Sequence, residues 1–270
     1  MSQTRQGKIA LPPGELWADL ALSGLSRPCP KGQGAKGAGV LAAPDANNFA
    51  LPPDHGRGLW SAPMSKVVAL SGGIGSGKTT VRTILDELGA VTICADAIVH
   101  ELQAPGSPIL EEISAAFGAG VLDSEGGLDR AALGDIVFSD PEARGRLGAI
   151  MHPPVMAEMM RQAQDGTDSG APLVVLDIPL YFEGQRSGTG SAVAREYDAA
   201  LLVWVPPEVQ IERTAERDAC PRAEAERRVA AQMPIDEKRR YATHVIDNSG
   251  DLESTRHQVE KIFGELAAPE

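Results

Sequence analysis

Five short apolar runs recur along residues 64–270, separated by stretches with a helical period. Residues 66–71 begin with KVVAL, a β-branched run that predicts a buried strand. Residues 78–88 place Val81, Ile84, Leu85 and Leu88 on one helical face, and Gly89 stops the helix. Val91–Ala95 reads as a second strand leading to Asp96. The stretch of about 97–165 is helical throughout, with no strand. Leu173–Asp177 (LVVLD) and Ala199–Val205 (AALLVWV) are two more buried strands. Pro206 and Pro207 close the latter, and Pro207 opens a helix in its first turn. Charged helices follow at 207–219 and 221–232, then a short strand His244–Asp247 and a terminal helix at 251–266. Wholly apolar strands alternating with helices predict an α/β fold: a parallel sheet covered by helices on both faces. There are no internal repeats.

Residues 1–63 break this pattern. They hold 9 Gly and 8 Pro, no sustained period of 2 or 3.6, and only Leu16–Leu25 as a possible short helix. A Gly and Pro share of roughly 25–30% predicts a disordered extension. Patterning typical of a folded body begins at Met64, which reads as a natural start; a tail with a targeting or binding role is the alternative. Pro12, Pro13, Glu15 and Asp19 interrupt any apolar signal core.

Charge sharpens the picture. The first 63 residues carry 6 Lys and Arg against 4 Asp and Glu, leaving 19 against 33 in 64–270, a formal −14. A body so acidic is not expected to be a general nucleic-acid or membrane binder. No apolar stretch approaches the roughly 20 residues of a membrane span. Cys29, Cys94 and Cys220 lack metal-ligand spacing and form no even framework, which points to a reducing cytoplasm.

The chemistry is carried by residues 71–80, SGGIGSGKTT. Gly72 and Gly77–Lys78–Thr79 fit G-x-x-x-x-G-K-[ST], between a strand and a helix. Glycines let successive backbone N–H groups turn toward one anion at a helix N-terminus. Gly73, Ile74, Gly75, Ser76, Gly77, Lys78, Thr79 and Thr80 are thus the predicted nucleotide cradle; Lys78 reaches the outer phosphates and Thr79 holds Mg²⁺. In parallel sheets ligands lie at the carboxyl ends of the strands. Asp96, Asp177, Asp247 and Asn248 all fall at such ends.

The body resembles the dephospho-coenzyme A kinase family from about Lys66 to Phe263. The resemblance is carried by ALSGGIGSGKTT at 69–80, ADAIVHEL at 95–102, PGSPIL at 105–110 and LDRAALGDIVFSDPEAR at 128–144. The pair His152–Pro153, LDIPLYFE at 176–183, QIERTAERD at 210–218, RRVAAQ at 227–232 and VIDNSG at 245–250 complete it. It implies a P-loop NTPase-type sheet with a helical substrate-binding insert at about 97–165 and a helical lid at about 207–232. It also implies phosphorylation of the ribose 3′-hydroxyl of dephospho-coenzyme A by ATP. The family's usual Asp-Ala-Asp is here Cys94–Ala95–Asp96, so only the second acid is kept.

On this resemblance Asp96 accepts the hydrogen bond of the attacking hydroxyl, its alternative role being a helix N-cap. Lys78 and the lid residues Arg213 and Arg217 neutralise the transferred phosphoryl group. Asp177 resembles a carboxylate orienting Mg²⁺, the alternative being a strand-end turn residue. Asp247 and Asn248 are expected at the adenine pocket and His152 near the acceptor, where a buried structural histidine is the other reading. Arg222, Arg227 and Arg228 are weaker lid candidates, Cys94 and Cys220 packing residues, and the Gly/Ser-rich 184–197 a loop. Rival readings are another nucleoside or nucleotide kinase of the same fold, or a non-catalytic ATP-binding protein. A GTPase lacks a carrier for guanine, because the only asparagines are Asn47, Asn48 and Asn248 and none sits in N-K-x-D.

Overall fold

The structure, a computed structural model, describes residues 65–188 and 196–268. The expectations for residues 1–63, and for 189–195 of the Gly/Ser-rich segment, lie outside them. Five strands, β1 (Lys66–Gly72), β2 (Val91–Cys94), β3 (Leu173–Asp177), β4 (Ala199–Trp204) and β5 (His244–Asp247), form one sheet in the order β2-β3-β1-β4-β5. Every neighbouring pair is parallel.

Side chains alternate across a strand, and both faces are covered. Val67, Ala69, Val174, Leu176, Ala200 and Leu202 join the core beneath the helical insert. Val68, Leu70, Leu173, Val175, Leu201 and Val203 pack with α1 (Lys78–Glu87) and the terminal helix, Leu252–Ala267. The continuous apolar runs follow from this two-sided burial.

The insert consists of α2 (Ala95–Leu102), α3 (Pro108–Phe117), a short 3₁₀ turn, α4 (Arg130–Ser139) and the 28-residue α5 (Pro141–Asp168). Pro153 and Pro154 stand inside α5. Prolines there have no N–H for the carbonyls of Ala149 and Ile150, so the His-Pro pair marks two missing rungs of the helix. After β3 comes α6 (Tyr181–Ser187), where the Gly/Ser content predicted loop from residue 184. The lid is α7 (Pro207–Asp218) and α8 (Arg222–Ala230), followed by the single turn α9 (Ile235–Lys238) and, after β5, α10 (Leu252–Ala267).

The chain places β2 and β3 on one side of β1 and β4 and β5 on the other. The carboxyl end of β1 is therefore the point where the winding reverses, the place such sheets bind ligands. The register sets Leu70 beside Asp177, and Asp177 beside Cys94.

Candidate active site

The glycine loop turns directly from β1 into α1. Ser76 N–H bonds Gly73 O at 3.1 Å and Thr80 N–H bonds Gly77 O at 3.0 Å. Gly77 is the N-cap of α1 and offers no side-chain cap, so the first N–H groups of the helix are not satisfied by a capping side chain. Such donors suit an anion. Gly77 sits at φ 81°, and a Cβ there would collide with Asn248 Nδ2; a Cβ on Gly73 would collide with Gln210 Nε2.

Those two side chains brace the loop. Asn248 Nδ2 donates to Ser76 O at 2.8 Å, and its Oδ1 accepts from Thr255 Oγ1 at 3.0 Å. Gln210 Nε2 donates to Ile74 O at 2.7 Å, while Ile74 N–H donates to Gln232 Oε1 at 2.8 Å. The Asn248 side chain thus braces the phosphate loop. Asp247 is also engaged locally: its carboxylate accepts from Ser249 N at 2.9 Å.

Lys78 Nζ donates to Asp177 Oδ1, and Arg82 stands 3.7 Å from Asp177 Oδ2. Asp177 is 3% exposed and is the buried counter-ion of both cations, a role beyond a turn residue at the strand end. Burial works against the Lys78 charge, but Asp177 and then Asp96 outweigh it and hold its pKa above the usual lysine value. Asp96 is thus near enough for its charge to act on the loop lysine. A second buried pair lies behind: Lys238, fully buried, is 2.7 Å from Glu183 Oε1 and donates to Gly72 O at 3.3 Å. Burial lowers the Lys238 pKa, Glu183 opposes this, and the nearby Lys78 adds to the lowering. Arg82, Gln210, Gln232, Glu183 and Lys238 were not candidates from sequence. Each is a polar residue whose spacing gives no sign of its long-range partner.

Asp96 is not where the strand pattern put it. β2 ends at Cys94, which is the N-cap of α2, and Asp96 is the second residue of that helix. Cys94 makes no side-chain cap bond, and Asp96 is not in the capping position. This removes the N-cap alternative, and a carboxylate in the first turn is favoured by the helix dipole.

On the lid, Arg213 Nη2 donates to Asn248 O at 3.1 Å, and its Nη1 lies 3.5 Å from the position of a Cβ on Gly77. The structure brings Arg213 to the loop. Arg217 is turned onto Asp218, with bonds of 2.7 and 3.0 Å. Arg222, Arg227 and Arg228 are engaged with Glu208 and Glu226, with Glu224, and with Asp218 and Glu224. His152, in α5, is partly buried, and burial holds its pKa below the usual histidine value. Cys94 and Cys220 are free thiols.

The residues present fit a Mg²⁺ held largely by phosphates. Among the described residues there is no group of three His, Cys, Asp or Glu that could hold a metal. Mg²⁺ in kinases needs only one or two protein oxygens beside substrate phosphates and water. Thr79, exposed in the first turn of α1, and Asp177 would supply that number.

Comparison with known proteins points one way. A family model described as dephospho-CoA kinase matches residues 66–254. A dephospho-CoA kinase of Symbiobacterium thermophilum is 49% identical over 195 residues, 72% of this chain and 79% of the relative. That of Carboxydothermus hydrogenoformans is 42% identical over 193 residues, 72% of this chain and 90% of the relative. The solved structure of dephospho-CoA kinase from Campylobacter jejuni superposes with a TM-score of 0.56 at 29% identity, over 76% of this chain and 98% of that one.

Proposed function

The chain belongs to the dephospho-CoA kinase family, and from that premise we propose how its own residues carry the reaction. It transfers the γ-phosphoryl group of ATP to the ribose 3′-hydroxyl of dephospho-coenzyme A, giving coenzyme A and ADP. This is the last step of coenzyme A synthesis. Phosphoryl transfer asks little covalent chemistry of a protein; positioning and charge stabilisation do most of the work.

In our reading the loop from Gly73 to Thr80 holds the phosphates through backbone N–H groups, and Lys78 serves the β- and γ-oxygens. Arg213 approaches from the lid, and Arg217 joins it on leaving Asp218. Guanidinium groups suit this task because their planar fork matches phosphate oxygens. Asp96 accepts the proton, or at least the hydrogen bond, of the attacking 3′-hydroxyl. The observation that carries this is the place of Asp96 in the first turn of α2, directly after β2 and near enough for its charge to act on Lys78, which supports a carboxylate beside the transferred group. Mg²⁺, when bound, would be held by Thr79 directly and by Asp177 through water, and would neutralise charge on the β- and γ-phosphates.

The insert from 97 to 165 supplies the acceptor wall, with His152 near it, and the lid from 207 to 232 closes over ATP. Closure would exclude water and limit ATP hydrolysis. No helix among the described residues is long and apolar enough to cross a membrane. A cytoplasmic location belongs to this reading, together with the free thiols.

ATP consumption measured in parallel with dephospho-coenzyme A, with AMP and with no acceptor tests the assignment. ADP should form rapidly only with dephospho-coenzyme A. A faster rate with AMP would make the chain a nucleotide kinase of another specificity, and one rate in all three would remove the acceptor site.

A further inference from the structure

One cation in the helical insert is held in a way that the chemistry above does not use. Arg130, the first residue of α4, reaches across to α2. Its Nη1 donates to Gln103 Oε1 at 2.7 Å and its Nη2 to His100 Nδ1 at 2.5 Å. A guanidinium can only donate, so His100 Nδ1 is the acceptor and the remaining ring N–H sits on Nε2. Gln103, 3% exposed, is fixed in turn by its Nε2 contact to Met151 Sδ at 3.8 Å, next to His152.

Both partners of Arg130 are neutral. Among the described residues no carboxylate forms an ion pair with it. Several exposed arginines elsewhere pair with carboxylates, as Arg161 does with Glu158 and Asp165, and Arg228 with Asp218 and Glu224. Arg130 is half-buried, and both groups that hold its guanidinium are neutral side chains. Burial pulls against its charge. With two of its N–H groups spent on neutral partners, the guanidinium keeps its charge and further donors for an anion.

Its position says which anion. Asp96, His100 and Gln103 are spaced i, i+4, i+7, so they share one face of α2. Measured along the helix, His100 is about 6 Å and Gln103 about 10 Å from Asp96. The acceptor carries its reacting 3′-hydroxyl and its 5′-diphosphate on opposite sides of one ribose, a separation of the same order. We propose that Arg130, oriented by Gln103 and His100, binds the 5′-diphosphate of the acceptor nucleotide and so delivers the 3′-hydroxyl to Asp96. The diphosphate subsite then lies in the insert, apart from the ATP cradle. This rests on the reading of Asp96 as the group facing the acceptor hydroxyl.

Arg130→Gln in the full chain removes the charge and keeps a donor for Gln103 Oε1; Arg130→Lys keeps the charge and loses the fork. Charged hydrogen bonds to a diphosphate are worth enough that KM for dephospho-coenzyme A should rise about 10–100-fold in Arg130→Gln. The rise should be smaller in Arg130→Lys, and KM for ATP should move less than about twofold. At saturating ATP, ADP-ribose keeps the adenosine and the diphosphate but lacks pantetheine. Its inhibition constant against dephospho-coenzyme A should rise by the same factor. A thermal melt separates this from simple loss of the α2–α4 tie, which would move both KM values together in both variants and overturn the proposal. Unchanged KM for dephospho-coenzyme A in both variants overturns the subsite alone. A rise for dephospho-coenzyme A but not for ADP-ribose assigns Arg130 to the pantetheine arm and overturns the diphosphate assignment. No transfer to dephospho-coenzyme A by the wild-type chain overturns the kinase reading and the subsite together.

Discussion

Gly77 meets two separate demands: a left-handed φ of 81°, and room for Asn248 Nδ2 where a Cβ would stand. The first is legible in the motif, because phosphate cradles need such backbone. The second is not, because Asn248 lies 171 positions away and the pattern gives no hint that its amide is spent on Ser76 O. Gly77→Ala should therefore raise the ATP dissociation constant by at least about tenfold, since a left-handed alanine alone costs about 1–2 kcal/mol. Titration calorimetry checks this. Arg213 tests the lid in the same way. It is half-buried and donates a hydrogen bond to a backbone carbonyl, Asn248 O, so Arg213→Ala should leave the thermal midpoint within a few degrees. Turnover should fall about 10²–10³-fold, the usual loss for one charge-stabilising donor. A fall in turnover that only tracks a fall in melting temperature would withdraw Arg213 from the chemistry. Arg217 shows the limit of spacing arguments: it shares a helical face with Arg213, yet a neighbouring Asp218 takes its guanidinium.

At the scale of elements, the five strands and the long helices were legible because burial on two faces writes continuous apolar runs and helices write a 3.6 period. The short pieces were not. The four-residue α9 is too brief to show a period, and α6 contains Gly184, which reads as loop. The start of α2 at Ala95 was hidden because Cys94 and Ala95 continue the apolar run of β2. These unpredicted pieces matter, since α6 and α9 meet through Glu183 and Lys238 beneath Gly72. Lys238→Met should leave the Glu183 carboxylate buried with its cation gone and cost about 3–5 kcal/mol. Replacing both, as Lys238→Met with Glu183→Leu, should recover most of that. Urea denaturation of the single and double variants decides it; a double variant no more stable than the single would mean that the two residues do not act as a pair.

For the whole molecule, polar groups gather at the carboxyl edge of the sheet, which is legible from the strand ends, whereas the insert and the lid are legible only through the family resemblance. What could not be read is which polar groups are consumed as braces. Between about pH 5 and 7, two histidines among the described residues are acid-sensitive. Burial holds His152 below the usual value, and burial and then Arg130 do the same for His100. With folded values lowered, the unfolded chain binds more protons between those values and about 6.5, so stability is lost as pH falls below about 6.5. His152→Gln should shrink the drop in urea midpoint between pH 7.5 and pH 5.5; an unchanged drop would clear His152 of that role. The central claim concerns Asp96. Asp96→Asn keeps the shape and removes the basic carboxylate. The measurement is the rate of 3′-phosphorylation of dephospho-coenzyme A beside ATP binding on this one variant. Turnover should fall about 10²–10⁴-fold while ATP affinity stays within about twofold, because the cradle and Lys78 remain. Near-normal turnover would contradict the account and show that the hydroxyl is activated by another group.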